Sequence, residues 1–243
     1  MIKIRDTDHM EYMEGMEKSD HSIMNKVLKM TDEYDYRRYN AIDVKNVLNK
    51  ETLGAEDLAV LLSPSAEPLL EKMARRAKIE TAKHFGNTVC MFTPLYIANY
   101  CENYCVYCGF NCSNKIRRGK LSIDEIESEY KTISETGLRE ILLLTGESKS
   151  ASPVEYIAEA VSLAKKYFST IGVEVYPMNS DEYAVLRKAG ADFVSVYQET
   201  YNTVKYEEVH LRGPKRVFPY RFNSQERALM GGCLLYTSPS PRD

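Results

Sequence analysis

The sequence has little excess charge and no long apolar segment. Its formal net charge is −3 at pH 7, which gives no electrostatic reason to expect a nucleic acid as a partner. The longest aliphatic run, ILLLT from Ile141, is far too short to span a bilayer. The acid-rich N-terminus, MIKIRDTDHMEYMEGMEKSD, lacks the apolar stretch of a secretory signal. We therefore expect a cytoplasmic protein that binds neither nucleic acid nor membrane.

The composition also lacks the bias of disordered or collagen-like chains. Hydrophobic residues make up 44% and charged residues 28% of the sequence, as in ordinary globular proteins. A chain of 243 residues could hold one large domain or two small ones, and either would bury a hydrophobic core.

The C-terminal segment CLLYTSPSPRD, residues 233–243, has no periodicity and no apolar face. One set of codons for this segment looks like the transposase adapter used to build short-read sequencing libraries. We interpret residues 233–243 as a non-native artefact tail, and we expect the native sequence to continue past Gly232. The alternative is a natural, disordered tail rich in serine and proline.

Residues 1–87 predict helices, with no strand-like alternation. Ser65 is placed to cap one of these helices, and Gly86 is placed to end it. We therefore expect a helical N-terminal region that precedes a different kind of fold.

Residues 88–232 predict short apolar strands that alternate with capped helices. Ser122 and Glu125 have the spacing of a capping box, and Ser152 followed by Pro153 predicts the start of the next helix. Gly137 is placed to end the first of these helices. The predicted strands are VCMFTPLYI, EILLLT, IGVEVYP and DFVSVYQ.

Near-continuous apolar strands that alternate with helices indicate an α/β fold with a parallel sheet covered on both faces. The four strands fit about the first four β/α units of a (β/α)8 TIM-type barrel, or a complete small doubly wound sheet. Polar residues follow each strand, which favours a functional rim over scattered polar loops. An incomplete barrel leaves a strand edge open, so we expect these 243 residues alone to be inactive and prone to aggregation.

Cys101, Cys105 and Cys108 form a C-x3-C-x2-C loop directly after the first predicted strand. Structural zinc usually requires a second pair of ligands, and the four histidines are scattered along the chain. A 4Fe-4S cluster on three thiolates would keep one iron without a protein ligand. Cys112 is either a fourth ligand or a bystander thiol, and we expect Cys90, in an apolar stretch, to be part of the core.

This loop, with Tyr107 before the third cysteine, resembles the radical S-adenosyl-L-methionine (SAM) superfamily. The resemblance implies that SAM occupies the open iron and that Tyr107 packs near its adenine. Gly146 and Glu147, in LLLTGE, match the Gly-Glu motif that holds the SAM ammonium in that superfamily. A glycine permits close backbone approach, and a carboxylate pairs with a cation. Glu174, in VEVYP, is a further candidate for SAM binding.

The segments PLYIANYCENYCVYCGF, LLLTGE, VYQETY and HLRGPK together resemble the tyrosine lyases of thiamin biosynthesis, the 2-iminoacetate synthases, over about residues 50–232. The resemblance implies cleavage of the Cα–Cβ bond of L-tyrosine to 2-iminoacetate and p-cresol. It also implies a thiazole synthase partner and a flavodoxin or ferredoxin-type reductant. The alternatives are the tyrosine lyase of iron-only hydrogenase maturation, which makes carbon monoxide and cyanide, and a small non-enzymatic iron-sulfur or zinc module.

Gln198, Glu199 and Tyr201 follow the fourth strand, and the resemblance suggests that they face the tyrosine or SAM pocket. The alternative is a solvated loop. His210 could hold a substrate carboxylate, although a surface salt bridge is equally consistent with the sequence. The basic run KIRRGK, residues 115–120, is either a solvated loop or a docking site for an acidic electron donor.

Overall fold

The computed structural model describes residues 7–235, which form two compact units. One unit contains residues 7–27 and the described residues from 91 onward, and the other contains residues 28–90. Residues 7–27, which we placed in the helical N-terminal region, therefore group with the sheet-containing unit.

The smaller unit is helical, as predicted. Helix α1 begins in the larger unit and ends in this one, and three further helices follow it. Val44, Ala66 and Leu69 form a small buried core among them. The helices are α1 Ser22–Glu33, α2 Ala41–Leu48, α3 Ala55–Leu61 and α4 Leu70–Phe85.

The helix that we expected Ser65 to cap begins later than predicted. Residues Pro64–Leu69 form a 3-10 helix, and α4 starts only at Leu70. Ser65 instead donates its hydroxyl to the carbonyl oxygen of Tyr39, at 2.7 Å. Gly86 follows the last residue of α4 with φ of 62°, so the predicted helix end is confirmed.

The larger unit contains a parallel sheet of five described strands, whose order across the sheet is their order along the chain. Neighbouring strands follow one another along the chain, without the reversal that a doubly wound sheet requires. The parallel barrel-type prediction is therefore confirmed, and the doubly wound alternative is wrong. The strands are β1 Phe92–Ala98, β3 Glu140–Thr145, β4 Thr170–Glu174, β5 Phe193–Val194 and β7 Leu234–Leu235.

Helices pack against this sheet and bury its apolar side chains, including Ile141, Leu143 and Val173. No helix within residues 7–235 is long and apolar enough to cross a bilayer. The helices that follow β1 are α5 Ile123–Glu135, α6 Val154–Ala164, α7 Ser180–Ala189, α8 Thr203–Val209, α9 Phe218–Phe222 and α10 Ser224–Met230. Of these, α5, α6, α7 and α10 contribute side chains to the core against the sheet.

The predicted helix starts are right for α5 and wrong in detail for α6. Ser122 and Glu125 form the predicted capping box, in which each side chain bonds the backbone N–H of the other. Ser152 does not cap α6, because Pro153 occupies the cap position. The Ser152 hydroxyl is buried and has no hydrogen-bond partner.

Cys90 is exposed, so our expectation that it belongs to the core is wrong. The prediction failed because β1 begins only at Phe92, after Cys90. Cys90 therefore lies in the connection between α4 and β1.

Cys233 is buried, and β7 pairs with β5 in the structure. These residues belong to the segment 233–243 that we interpreted as an artefact tail. Pairing of this kind does not test whether the segment is native, so that interpretation stays a prediction. Residues 236–243 of the tail lie outside the described residues.

Candidate functional site

The carboxyl ends of the parallel strands surround a cavity of about 170 Å³. Cys101, Cys105 and Cys108 all line it, as do Glu147 and Glu174. The carboxyl ends of the strands carry the active site in barrels of this architecture. The structure thus brings the predicted cluster ligands and both predicted SAM-binding carboxylates to one cavity.

Long-range hydrogen bonds fix the loop that carries the cysteines. Strand β2, Tyr104–Cys105, pairs antiparallel with β6, His210–Arg212. Arg118 donates to the carbonyl oxygens of Asn99, at 2.7 Å, and of Phe110, at 2.9 Å. Arg118 therefore supports the cysteine loop, so this part of the run 115–120 is not simply a solvated surface.

Burial raises the pKa of the Cys101 thiol and raises that of Cys105 to about 12. Both groups are therefore neutral thiols at pH 7 in the absence of a metal. Coordination to iron deprotonates a thiol and supplies the positive charge that a buried thiolate needs. Three buried or half-buried thiols around one cavity consequently fit an iron-sulfur cluster.

Among residues 7–235, no three His, Cys, Asp or Glu side chains converge closely enough to hold a single metal ion. This arrangement is compatible with a four-iron cluster, because there each thiolate binds a different iron.

Cys112 is separated from the other three cysteines of the loop. Its side chain is exposed and does not line the cysteine cavity. It faces a second, wider opening, which also reaches Cys101. The geometry agrees with three ligands and one bystander thiol.

Gly146 stands at the end of β3, where its N–H donates to the carbonyl oxygen of Ala98 at 2.9 Å. A Cβ atom at this position would lie 2.2 Å from the carbonyl oxygen of Tyr100. Only glycine fits such a close approach. Because Tyr100 directly precedes Cys101, Gly146 lets the cysteine loop lie against the end of β3.

The Glu147 carboxylate accepts hydrogen bonds at both of its oxygens. Asn103 Nδ2 donates to Oε2 at 2.9 Å, and Arg221 Nη1 donates to Oε1 at 2.8 Å. Lys215 Nζ lies 3.7 Å from Oε1. The predicted ammonium-binding carboxylate is therefore held in place from three sides.

Arg221 and Lys215 join Glu147 to Glu199. Lys215 Nζ lies 2.5 Å from Glu199 Oε1, and Arg221 Nε lies 3.6 Å from Glu199 Oε2. Although burial opposes it, these two cations lower the pKa of Glu199. Four residues were predicted to contact the substrate, namely Gln198, Glu199, Tyr201 and His210. Of these four described residues, only Glu199 lines the cavity.

The Glu174 carboxyl group lies at the end of β4, and burial raises its pKa. Arg221 and Lys215 oppose that rise. Glu174 therefore ionises less readily than Glu199. A cationic ligand that entered the cavity would lower the pKa of Glu174 and favour its charged form.

Tyr107 and His210 form a separate pair beside the cavity. The Tyr107 hydroxyl lies 2.7 Å from His210 Nε2, and His210 is completely buried. His210 therefore does not form a surface salt bridge, although its Nε2 lies 3.8 Å from the partly buried Glu199 Oε2. Half of the Tyr107 side chain remains exposed, with 52% of its area accessible.

Gln198 and Tyr201 do not line the cysteine cavity. Gln198 Nε2 donates to the carbonyl oxygen of Thr200 at 3.3 Å, and its Oε1 is buried without a hydrogen-bond partner. Tyr201 is exposed and packs edge-on against Phe222, with ring centroids 5.8 Å apart. Their assignment to the substrate pocket stays a prediction.

Sequence reasoning missed three residues of the site, namely Asn103, Lys215 and Arg221. Asn103 lies inside the cysteine loop, and Lys215 lies in the quoted segment HLRGPK, so each was within a segment already singled out. The only signal for Arg221 is a single cation within the mostly apolar run VFPYRF.

A family model described as the radical SAM superfamily matches residues 95–218. The chain is 41% identical to the 2-iminoacetate synthase of Escherichia coli over 187 residues, which cover 77% of this chain and 50% of that protein. It is 32% identical to the 3-methylornithine synthase of Methanosarcina acetivorans, over 75% of this chain and 52% of the relative.

The structure is also similar to that of the FeFe-hydrogenase maturase HydG from Carboxydothermus hydrogenoformans. The TM-score is 0.73 with 30% sequence identity, over 87% of this chain and 49% of the maturase. The chain thus spans about half the length of the curated relatives and solved structures that it matches.

Proposed function

The chain belongs to the radical SAM superfamily, and we propose that it is part of a 2-iminoacetate synthase. The proposed reaction cleaves the Cα–Cβ bond of L-tyrosine and yields 2-iminoacetate and p-cresol, for the thiazole moiety of thiamin. The superfamily uses a 4Fe-4S cluster and SAM as cofactors. When bound, these cofactors supply the one-electron chemistry that generates a 5′-deoxyadenosyl radical.

The protein's own contribution is to bind, orient and shield these groups. In our assignment Cys101, Cys105 and Cys108 hold the cluster, and the Glu147 carboxylate receives the SAM ammonium. Glu174 and Glu199 provide further negative charge around the cavity. Holding the reactants in fixed positions converts an encounter in solution into a reaction within one complex. Enclosure also keeps water and competing hydrogen donors away from the radical.

One observation carries this proposal. Three cysteines and Glu147 line a single cavity at the carboxyl ends of parallel strands, in a chain that is 41% identical to a 2-iminoacetate synthase over 77% of its length. The predicted ligands come from two different loops, after β1 and after β3. Their convergence supports the cofactor chemistry independently of the sequence match.

The test begins by resequencing the gene across the codon for Gly232, and it uses the protein that this gene encodes. The encoded protein is reconstituted with iron and sulfide under anaerobic conditions, reduced, and supplied with tyrosine and SAM. We expect p-cresol and 5′-deoxyadenosine to form, and we expect Cys105→Ala to abolish both products. Either product from the variant would refute the cluster assignment.

A second function, the tyrosine lyase of hydrogenase maturation, is favoured by the structural similarity to HydG, with a TM-score of 0.73. The same assay separates the two functions. Formation of p-cresol without carbon monoxide or cyanide supports the thiamin enzyme. Carbon monoxide and cyanide together with p-cresol would support the maturase instead.

We further propose that a thiazole synthase consumes the 2-iminoacetate and that a flavodoxin or ferredoxin-type protein supplies the electrons. Lys115 and Arg117 are exposed next to the cysteine loop, which suits an acidic reductant. Replacing both with glutamate should slow reduction of the cluster by flavodoxin without affecting its reduction by dithionite. Equal rates with flavodoxin would contradict this docking site.

A further inference from the structure

Asn103, within the cysteine loop, is almost completely buried, with 1% of its area exposed. Its Nδ2 donates to Glu147 Oε2 at 2.9 Å and approaches Cys101 Sγ at 3.7 Å. Its Oδ1 accepts the backbone N–H of Lys215 at 2.8 Å. One amide therefore bonds a cysteine, a carboxylate and a backbone group from three separate parts of the chain.

The chemistry of these partners fixes the orientation of the amide. A backbone N–H can only donate, so it requires the amide oxygen, whereas an ionised carboxylate can only accept, so it requires the amide nitrogen. The two hydrogens on Nδ2 then serve Glu147 and Cys101. No other orientation of the side chain satisfies all three partners.

The surrounding backbone keeps Asn103 in this position. The Asn103 carbonyl oxygen accepts the N–H of Cys112 at 2.9 Å. A Cβ atom on Gly213 would lie 2.5 Å from Asn103 Oδ1 and 2.8 Å from its Cα. The turn at Gly213 thus packs directly onto Asn103.

We propose that Asn103 is a positioning residue that sets the Glu147 carboxylate relative to the cluster ligand Cys101, and thereby determines SAM affinity. This inference rests on the proposed cluster and SAM sites. SAM must reach the open iron and the Glu147 carboxylate at the same time, so the distance between these two groups affects SAM affinity. The Asn103 amide is the side-chain link to the Glu147 carboxylate, beside a backbone hydrogen bond from the Glu102 N–H to the Glu147 carbonyl oxygen at 3.0 Å.

Variants of the reconstituted full-length protein test the inference, with the SAM dissociation constant measured from the change in the EPR spectrum of the reduced cluster. Asn103→Ala should retain iron and sulfide but bind SAM about tenfold more weakly, as expected for loss of a hydrogen bond to a charged group. Asn111→Ala is the matched control. Asn111 is buried in the same loop and bonds the carbonyl oxygen of Cys105 at 2.8 Å, with no hydrogen bond to Glu147.

If Asn103→Ala fails to retain its cluster, Asn103→Asp replaces it. Aspartate keeps the acceptor for the Lys215 N–H, but it places a second carboxylate against Glu147. The substitution replaces Nδ2, which donates to Glu147 Oε2, with an oxygen that can only accept, so Glu147 loses this hydrogen bond and its carboxylate is displaced. We expect Asn103→Asp to keep the cluster and to weaken SAM binding as well.

A double-mutant cycle separates positioning from general damage. If Asn103 acts through Glu147, Asn103→Ala should change the SAM dissociation constant little in a Glu147→Gln background. Loss of the bond to Cys101 should also make the reduction potential of the cluster more negative. Unchanged SAM affinity in both Asn103 variants, equal weakening by Asn111→Ala, or additive effects in the cycle would overturn the inference.

These readouts do not depend on tyrosine. A protein that binds SAM in an Asn103-dependent way but forms no p-cresol would contradict the proposed function and leave this inference standing. Tyrosine cleavage together with SAM binding that does not depend on Asn103 would support the proposed function and overturn this inference.

Discussion

Tyr107 donates its hydroxyl hydrogen to Nε2 of the buried His210 over 2.7 Å. The direction follows from the other ring nitrogen, because Nδ1 lies 2.9 Å from the carbonyl oxygen of Tyr206, which can only accept. Nδ1 therefore carries the hydrogen, and Nε2 is the acceptor. Burial lowers the pKa of His210 from 6.5 to about 4, so the imidazole is neutral at pH 7.

This depressed pKa predicts acid sensitivity. His210 takes up a proton near pH 6.5 in the unfolded chain but only near pH 4 in the folded protein. Between these values the unfolded state binds more protons, so stability is present above pH 6.5 and is lost as the pH falls. The free energy of unfolding of the cluster-free protein should decrease by up to about 3 kcal/mol across this window, measured by chemical denaturation.

His210→Gln is the control for that prediction. Glutamine can still accept from Tyr107 and donate to Tyr206, but it does not titrate. The difference between the two pH profiles removes the contribution of carboxylates that titrate in the same range. Parallel profiles would mean that His210 does not cause the acid sensitivity.

Arg221 is 6% exposed and is the central cation of the site. It bonds Glu147 at 2.8 Å and the carbonyl oxygen of Tyr197 at 2.6 Å, and it lies 3.6 Å from Glu199. Arg221→Met would remove one of the two largely buried cations, Arg221 and Lys215, that Glu147 and Glu199 share. We expect a loss of about 3–5 kcal/mol in the free energy of unfolding at pH 7, measured by chemical denaturation.

An exposed ion pair provides the comparison for Arg221. Lys205 and Glu208 lie 2.7 Å apart on the surface, with side chains 66% and 47% exposed. Lys205→Ala should cost less than about 1 kcal/mol, because solvent screens the pair. A similar cost for both substitutions would argue against a special role of Arg221 in the buried network.

The sequence predicts the parts of this protein that depend on local or periodic patterns. Apolar strands that alternate with helices predicted the parallel order, and the spacing of Ser122 and Glu125 predicted the start of α5. Cys101, Cys105 and Cys108 could be singled out as candidate ligands because they lie within eight positions of one another.

The remaining features depend on contacts between distant segments, which no local pattern records. Asn103 meets Glu147 across 44 positions and Lys215 across 112. The errors at Cys90 and Ser152 are local in origin. An apolar stretch does not show where its strand begins, and a serine before a proline does not show which of the two occupies the cap position.

The division of the cysteine loop into three ligands and one bystander is directly testable. Cys112 is exposed and lies outside the cavity that the other three cysteines line. Cys112→Ser should therefore leave the iron content and the EPR spectrum of the reconstituted full-length protein unchanged. Serine at position 101, 105 or 108 should each reduce the iron content sharply, because a hydroxyl is a poor ligand for this cluster. Loss of iron in Cys112→Ser would identify a fourth ligand.

The close approach at Gly146 couples the end of β3 to the cysteine loop. In Gly146→Ala the added Cβ would lie 2.2 Å from the carbonyl oxygen of Tyr100, and backbone atoms must move to relieve the overlap. We expect the free energy of unfolding to fall by about 1–3 kcal/mol. Iron incorporation should fall as well, because Tyr100 directly precedes Cys101.

Gly119→Ala is the matched control for Gly146→Ala, since a Cβ there meets nothing within 4 Å. Its stability should stay within about 0.5 kcal/mol of the parent protein. If Gly146→Ala behaved like this control, the loop would not depend on the close approach.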